Sequence, residues 1–344
     1  MARSDRPLTQ RPEQVNGNGR LGSTHRRPRD AYRAVPLLQS PTWHHPIAAY
    51  FYCGGISSGA YLVGTLAALT GGARLRTMAR TAHYVLFAAL LPCPPLLIVD
   101  LGKPERFYHM LRIFKPSSPM SLGSWALCTH GVFSALSAVS ALAHEIELPL
   151  VGPALKVLPE AAVGVLGLPS GLTLGGYTGV LLGTSSVPIW ATSPLLGALF
   201  MSSAINTGLA AVTLSGVLSG RGGDAAHRAA APLAVLGGGV EAALLGGYVA
   251  TSGQTVKPLR GTREGLEIAG TAALIAVAMG LEIAGMRVAR GKLVLSAAAA
   301  AATLAGGALL RWGLVFAGIR SAADRETLLK TMAPSAKRRG WRPW

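Results

Sequence analysis

"LIVDLGKPERFYHMLRIFKPSSPMSLGSW" (Leu97–Trp125) sets a dense cluster of charge between two greasy segments. It starts inside one apolar run and ends at the beginning of another. Between them stand Asp100, Lys103, Glu105, Arg106, His109, Arg112 and Lys115. An apolar helix of about 20 residues crosses a hydrocarbon layer of about 30 Å. A burst of charge between two such runs therefore marks a turn at a membrane surface. Working outward, similar runs at 47–69, 80–100, 122–143, 161–186, 195–218, 230–251, 265–286 and 293–318 predict eight transmembrane helices. Several contain Pro or Gly, which membrane helices tolerate when neighbours satisfy the backbone.

The composition agrees. Half of the 344 residues are hydrophobic and 14% are charged, with a mean hydropathy of +0.40. Soluble domains carry about 25% charged residues. The expected class is an all-α integral membrane protein with membrane lipid as its surroundings. No cleavable signal segment is expected, because the first apolar run follows an Arg- and Pro-rich tail (residues 1–46) of disordered composition. A second basic tail, 320–344, ends in "KRRGWRPW".

A net charge of +17 raises nucleic acid as a partner. The basic residues fall in tails and inter-span loops rather than in an aromatic-lined groove, so no nucleic-acid binding is expected. With eight spans both termini share one face. That face holds 22 of the 32 Lys and Arg residues, which by the positive-inside rule places both termini in the cytoplasm. The margin comes from the tails; the loops alone split 7 against 9.

Three cysteines, Cys53, Cys93 and Cys128, lie in apolar runs and form no CxxC. Four thiolates usually hold an iron–sulfur cluster, so none is expected in this chain. His83 and His130 are the in-span candidates for haem ligands, but they belong at different depths, so no haem is expected. No metal site is expected either.

Several polar residues converge on the terminal half of the membrane: His44 and His45 before the first span, Asp100 ending the second, Trp125 and His130 opening the third, Tyr177 late in the fourth, Trp190 just beyond it, Glu267 opening the seventh and Arg311 in the eighth. Trp125 and Trp190 also fit an interfacial aromatic belt. Glu282 falls toward the other face, near a boundary. Glu241, in the middle of the sixth span, needs a partner or water, as does Arg311. Glu241, Glu267, Glu282 and Arg311 are the candidates for a proton path or a buried ion pair. Gly55-x-x-x-Gly59 and Gly175-x-x-x-Gly179-x-x-x-Gly183 predict close helix contacts. Tyr177 stands within the second stripe and needs a hydrogen-bond partner there.

"DLGKPERFYHML" followed by "SPMSLGSW" resembles the signature of the polysulfide-reductase membrane-subunit (NrfD-like, PsrC-like) family. "YFYCGGISSGAYL", "GGYTGVLLGTSSVPIW" and "LLRWGLVFAG" extend the resemblance over about residues 43–320. It implies two four-helix bundles, 47–186 and 187–319, with a quinone site in the first. It also implies electron exchange between membrane quinone (menaquinone or ubiquinone) and an iron–sulfur subunit, with a molybdopterin or other redox catalytic subunit beyond. Tyr177 maps to the family's quinone residue and His44 or His45 to its polar neighbours. Asp100, Arg106, Trp125 and His130 complete the candidate set. Proton translocation stays open, as does a second class, a secondary transporter using the mid-membrane charges.

Overall fold

The computed structural model describes residues 41–70, 72–145, 160–221, 223–256, 259, 261–288 and 290–323. Most of both basic tails, 1–40 and 324–344, lies outside the described residues. Among the described residues, eight helices are long and apolar enough to cross a membrane: His45–Thr70, Leu75–Val99, Pro119–Ala143, Ala161–Gly183, Leu196–Leu218, Asp224–Ser252, Arg263–Arg287 and Lys292–Ala323. They are called the first to eighth spans below. The expected runs match them closely. The largest differences are at the start of the sixth span, which extends back to Asp224, at the start of the second, which begins at Leu75, and at the end of the eighth, which reaches Ala323.

In lipid, hydrophobicity does not select a helix's inner face, because both faces are apolar; small residues select it instead. The first span is accordingly central and packs against the second, fourth, fifth and eighth. At its contact with the fifth, a Cβ on Gly59 would overlap the Ala204 carbonyl, and one on Gly208 would overlap the backbone of Gly59 and Ala60. The third span packs on the second and fourth, the sixth on the fifth and seventh, and the seventh on the eighth. One apolar core runs from Ile47 and Leu174 through Leu199 and Phe200 to Leu245 and Leu310.

The second span is broken. Its helix Gly72–Leu90 stops at a turn and resumes as Cys93–Val99. Pro92, Pro94 and Pro95 lack the N–H groups a continuous helix would use. The helix ends at Val99, ahead of Pro104. Pro104 opens a single 3-10 turn, Pro104–Arg106. A short helix, His109–Arg112, follows before Pro119 starts the third span.

Candidate functional site

The ends of the first four spans on the terminal face line a cavity of about 50 Å³. Trp43, Tyr50 and Phe51 line it from the first span and its approach, Leu97 from the second, Ser124 from the third and Tyr177 from the fourth. A second, almost wholly apolar groove of about 220 Å³ adjoins it between the second and third spans. Leu97, Met110 and Ser124 line both, so the groove leads into the Tyr177 cavity. Phe107, Met110 and Leu111 of the charged turn form part of its wall.

Tyr177 is held from two sides. Its hydroxyl donates to the Pro119 carbonyl at 2.5 Å. Its ring occupies the space where a side chain at position 123 would stand, so Gly123 is what admits it. Because its single proton goes to Pro119, the Tyr177 oxygen meets the cavity as an acceptor. Tyr50, on the same cavity, has no hydrogen-bond partner for its hydroxyl among the described residues and remains a donor. Sequence reasoning passed over Tyr50, although "YFYCGGISSG" contains it.

Asp100 ties the end of the second span to the start of the first. Its Oδ1 accepts from the His44 backbone N–H at 3.3 Å and stands 3.3 Å from His44 Nδ1. The Asp100 side chain is 8% exposed and that of His44 is 73% exposed. Their neighbours Trp43, Ile47 and Leu97 line the cavity.

The other expected residues stand elsewhere. His45 turns toward the eighth span, where its Nδ1 accepts from Trp312 Nε1 at 3.1 Å and its ring lies 4.7 Å from that of Phe316. Arg106 is exposed and has no ion pair among the described residues. Trp125, 36% exposed, points outward against Phe114 at 6.0 Å. His130 is fully buried below the cavity, with Nε2 3.0 Å from Ser57 Oγ and Nδ1 3.4 Å from Ser170 Oγ. Trp190 does not belong to a belt. It is fully buried, donates to the Leu314 carbonyl at 2.7 Å and stacks on Trp43 at 5.3 Å.

A second polar region lies among the last four spans. Glu241 accepts from Asn206 Nδ2 at 2.6 Å, and Glu282 accepts from Ser296 Oγ at 2.8 Å. Both carboxylates are buried and line one small cavity of about 30 Å³. Glu282 is therefore not a boundary residue. Arg311 is buried and donates to Ser203 Oγ at 2.5 Å and to the Gly307 carbonyl at 3.1 Å. Glu267 stays apart, paired with Arg263 at 2.9 Å near the start of the seventh span. Asn206 and His227 were missed; a lone amide inside an apolar run is the signal that marks Asn206.

Eight spans, with a terminal-face cavity adjoined by an apolar groove, define a multi-pass membrane protein. Residues 37–323 match the family model described as "Polysulphide reductase, NrfD", and the chain belongs to that family. It is 29% identical over 212 residues to a polysulfide reductase chain of Wolinella succinogenes, covering 54% of this protein and 61% of that one. It is 28% identical over 193 residues to protein NrfD of Escherichia coli, covering 52% and 60%. A shorter match, 29% over 85 residues, is to a selenate reductase subunit of Mesobacillus selenatarsenatis, covering 25% and 20%. The match thus spans about three fifths of the first two relatives.

Proposed function

We propose that this chain is the quinone-binding membrane subunit of a respiratory-type oxidoreductase, exchanging electrons between the membrane quinone pool and an iron–sulfur subunit. The observation that carries this reading is the apolar groove that runs into a cavity holding two tyrosine hydroxyls of opposite hydrogen-bonding character. A quinone or quinol needs an apolar slot for its tail and a few placed polar groups for its head. Tyr50 would donate to a quinone carbonyl. Tyr177, with its proton spent on Pro119, would accept from a quinol hydroxyl. Asp100 and His44 fix the two span ends beside them. Menaquinone and ubiquinone both fit this description.

The partner reading follows from position. The cavity sits at the terminal face, so an iron–sulfur subunit docked on that face brings its cluster nearest the head. A molybdopterin or other redox subunit would stand beyond it, as the names of the polysulfide and selenate reductase relatives suggest. The division into bundles at 47–186 and 187–319, with the quinone site in the first, belongs to the same proposal. So do the cytoplasmic termini and a proton-moving role for the second bundle. Impermeant thiol labelling of cysteines placed in the tails tests the orientation: labelling in intact cells overturns it.

Purification of the protein with its partners tests the main reading. Bound quinone should co-purify, and quinol-dependent turnover should fall in fully assembled Tyr177→Phe and Tyr50→Phe complexes. Turnover and quinone content unchanged in both variants would refute it. A secondary transporter would instead show substrate counterflow with the isolated protein.

A further inference from the structure

The Glu241–Glu282 cavity continues toward the face opposite the termini. A neighbouring cavity of about 30 Å³ is lined by Thr213, Arg221, His227 and Ser296. Thr213 lines both cavities, and the Ser296–Glu282 hydrogen bond joins them. Beyond His227 lie Asp224 and Lys292, paired at 2.8 Å at the starts of the sixth and eighth spans, and Arg228, 4.0 Å from Asp224. Two buried atoms along this line have no partner among the described residues, Glu282 Oε2 and His227 Nδ1.

The other end is closed. Arg311 carries the buried cation, with no ion pair to Glu241 although Glu241 is near enough to act on it electrostatically. The Arg311 guanidinium lies 5.6 Å from the centre of the Phe200 ring, and Phe200 meets Phe51 at 6.3 Å. Phe51 lines the Tyr177 cavity. Arg311 and two aromatic rings thus separate the carboxylates from the proposed quinone pocket.

We infer that Glu241 and Glu282 form a proton-binding site filled from the face bearing Asp224 and Lys292. Two carboxylates in one buried cavity, with one guanidinium to balance them, cannot both stay ionised cheaply. An aqueous proton passing His227 and Ser296 adds to a carboxylate oxygen, and it leaves by the same route. The immediate neighbours are donors, the Asn206 amide and the Ser296 hydroxyl, rather than the converging oxygens a metal cation requires. Among the described residues no three His, Cys, Asp or Glu side chains are placed to hold a metal. The site deepens the proton-moving part of the proposed function.

Dicyclohexylcarbodiimide, an apolar reagent for protonated carboxyls, tests it without any quinone, so its failure is separate from failure of the Tyr177 assay. The whole complex is reconstituted in sealed vesicles of known orientation, labelled, and mapped by mass spectrometry. Label is expected on Glu282 or Glu241. It should fall as pH rises, governed by the pH of the compartment facing Asp224 and Lys292. Glu241→Gln/Glu282→Gln should abolish it in an assembled complex, and Glu267→Gln should not. Absence of label, control by the other compartment, or protection by Na⁺ at fixed pH would overturn the inference.

Discussion

Removing one hydroxyl from each cavity tyrosine should move the quinone midpoint potential in opposite directions. Tyr177 spends its proton on Pro119 at 2.5 Å, so its oxygen favours the reduced head, which brings its own O–H donors. Tyr50 has no hydroxyl partner among the described residues and favours the oxidised head, which offers only acceptors. One hydrogen bond contributes about 1 kcal/mol net. For a two-electron couple 1.4 kcal/mol corresponds to about 30 mV, so each substitution should shift the potential by about 20 mV. Tyr177→Phe weakens the reduced form and lowers the potential. Tyr50→Phe weakens the oxidised form and raises it. In binding terms each variant should lose about fivefold in affinity for one redox form. Tyr177→Phe also loses the tie between the third and fourth spans, about 1 kcal/mol of stability, so both variants need an assembly check by subunit stoichiometry. Redox titration of the quinone in the purified complexes supplies the measurement. Shifts of the same sign, or none in either variant, would refute the donor–acceptor assignment.

Asp100→Asn keeps an acceptor for the His44 N–H but removes the charge. It should cost under about 1 kcal/mol in thermal unfolding, while quinol-linked turnover falls and dye-linked turnover of the partner survives. Asn206→Ala strips Glu241 of its amide donor. Hydrogen bonds to charged groups are worth about 1.5–3 kcal/mol, and a loss of that size should appear as a lower melting temperature in detergent. Gly59→Leu drives a side chain into the Ala204 carbonyl. Overpacking of this kind costs about 1–3 kcal/mol or more, and size-exclusion chromatography should show loss of the folded protein.

The spans were legible because their ends carry their own punctuation. Asp100 and the charged turn close the second, and Pro119 opens the third. The sixth span begins earlier than its apolar run because Asp224 and Arg228 pair on the helix surface while His227 turns inward. Composition alone hides that turn. Site residues were less legible because facing depends on neighbours. His44 and His45 are adjacent, yet one meets Asp100 and the other Trp312, since His44 precedes the helix and His45 is its first residue. Trp190 read as interfacial from its place between spans. The short helix Pro188–Ala191 tucks it beneath the eighth span, where Gly318 leaves room for the indole.

Arg311 gives the molecule a physical connection between its two polar regions. It lies on the eighth span, contacts Ser203 of the fifth, and stands where a side chain on Gly55 of the first would press on its guanidinium. Replacing Gly55 would therefore push the cation from its place, which ties the small-residue stripe of the first span to charge placement as well as to packing. On one side of Arg311 stands Glu241. On the other, Phe200 and Phe51 lead to the cavity of Tyr177 and Tyr50. Coulomb energy in an interior of low dielectric falls only as the inverse of distance. A charge placed in the Tyr177 cavity would therefore act on Arg311 and Glu241 across the protein interior, without any helix having to move.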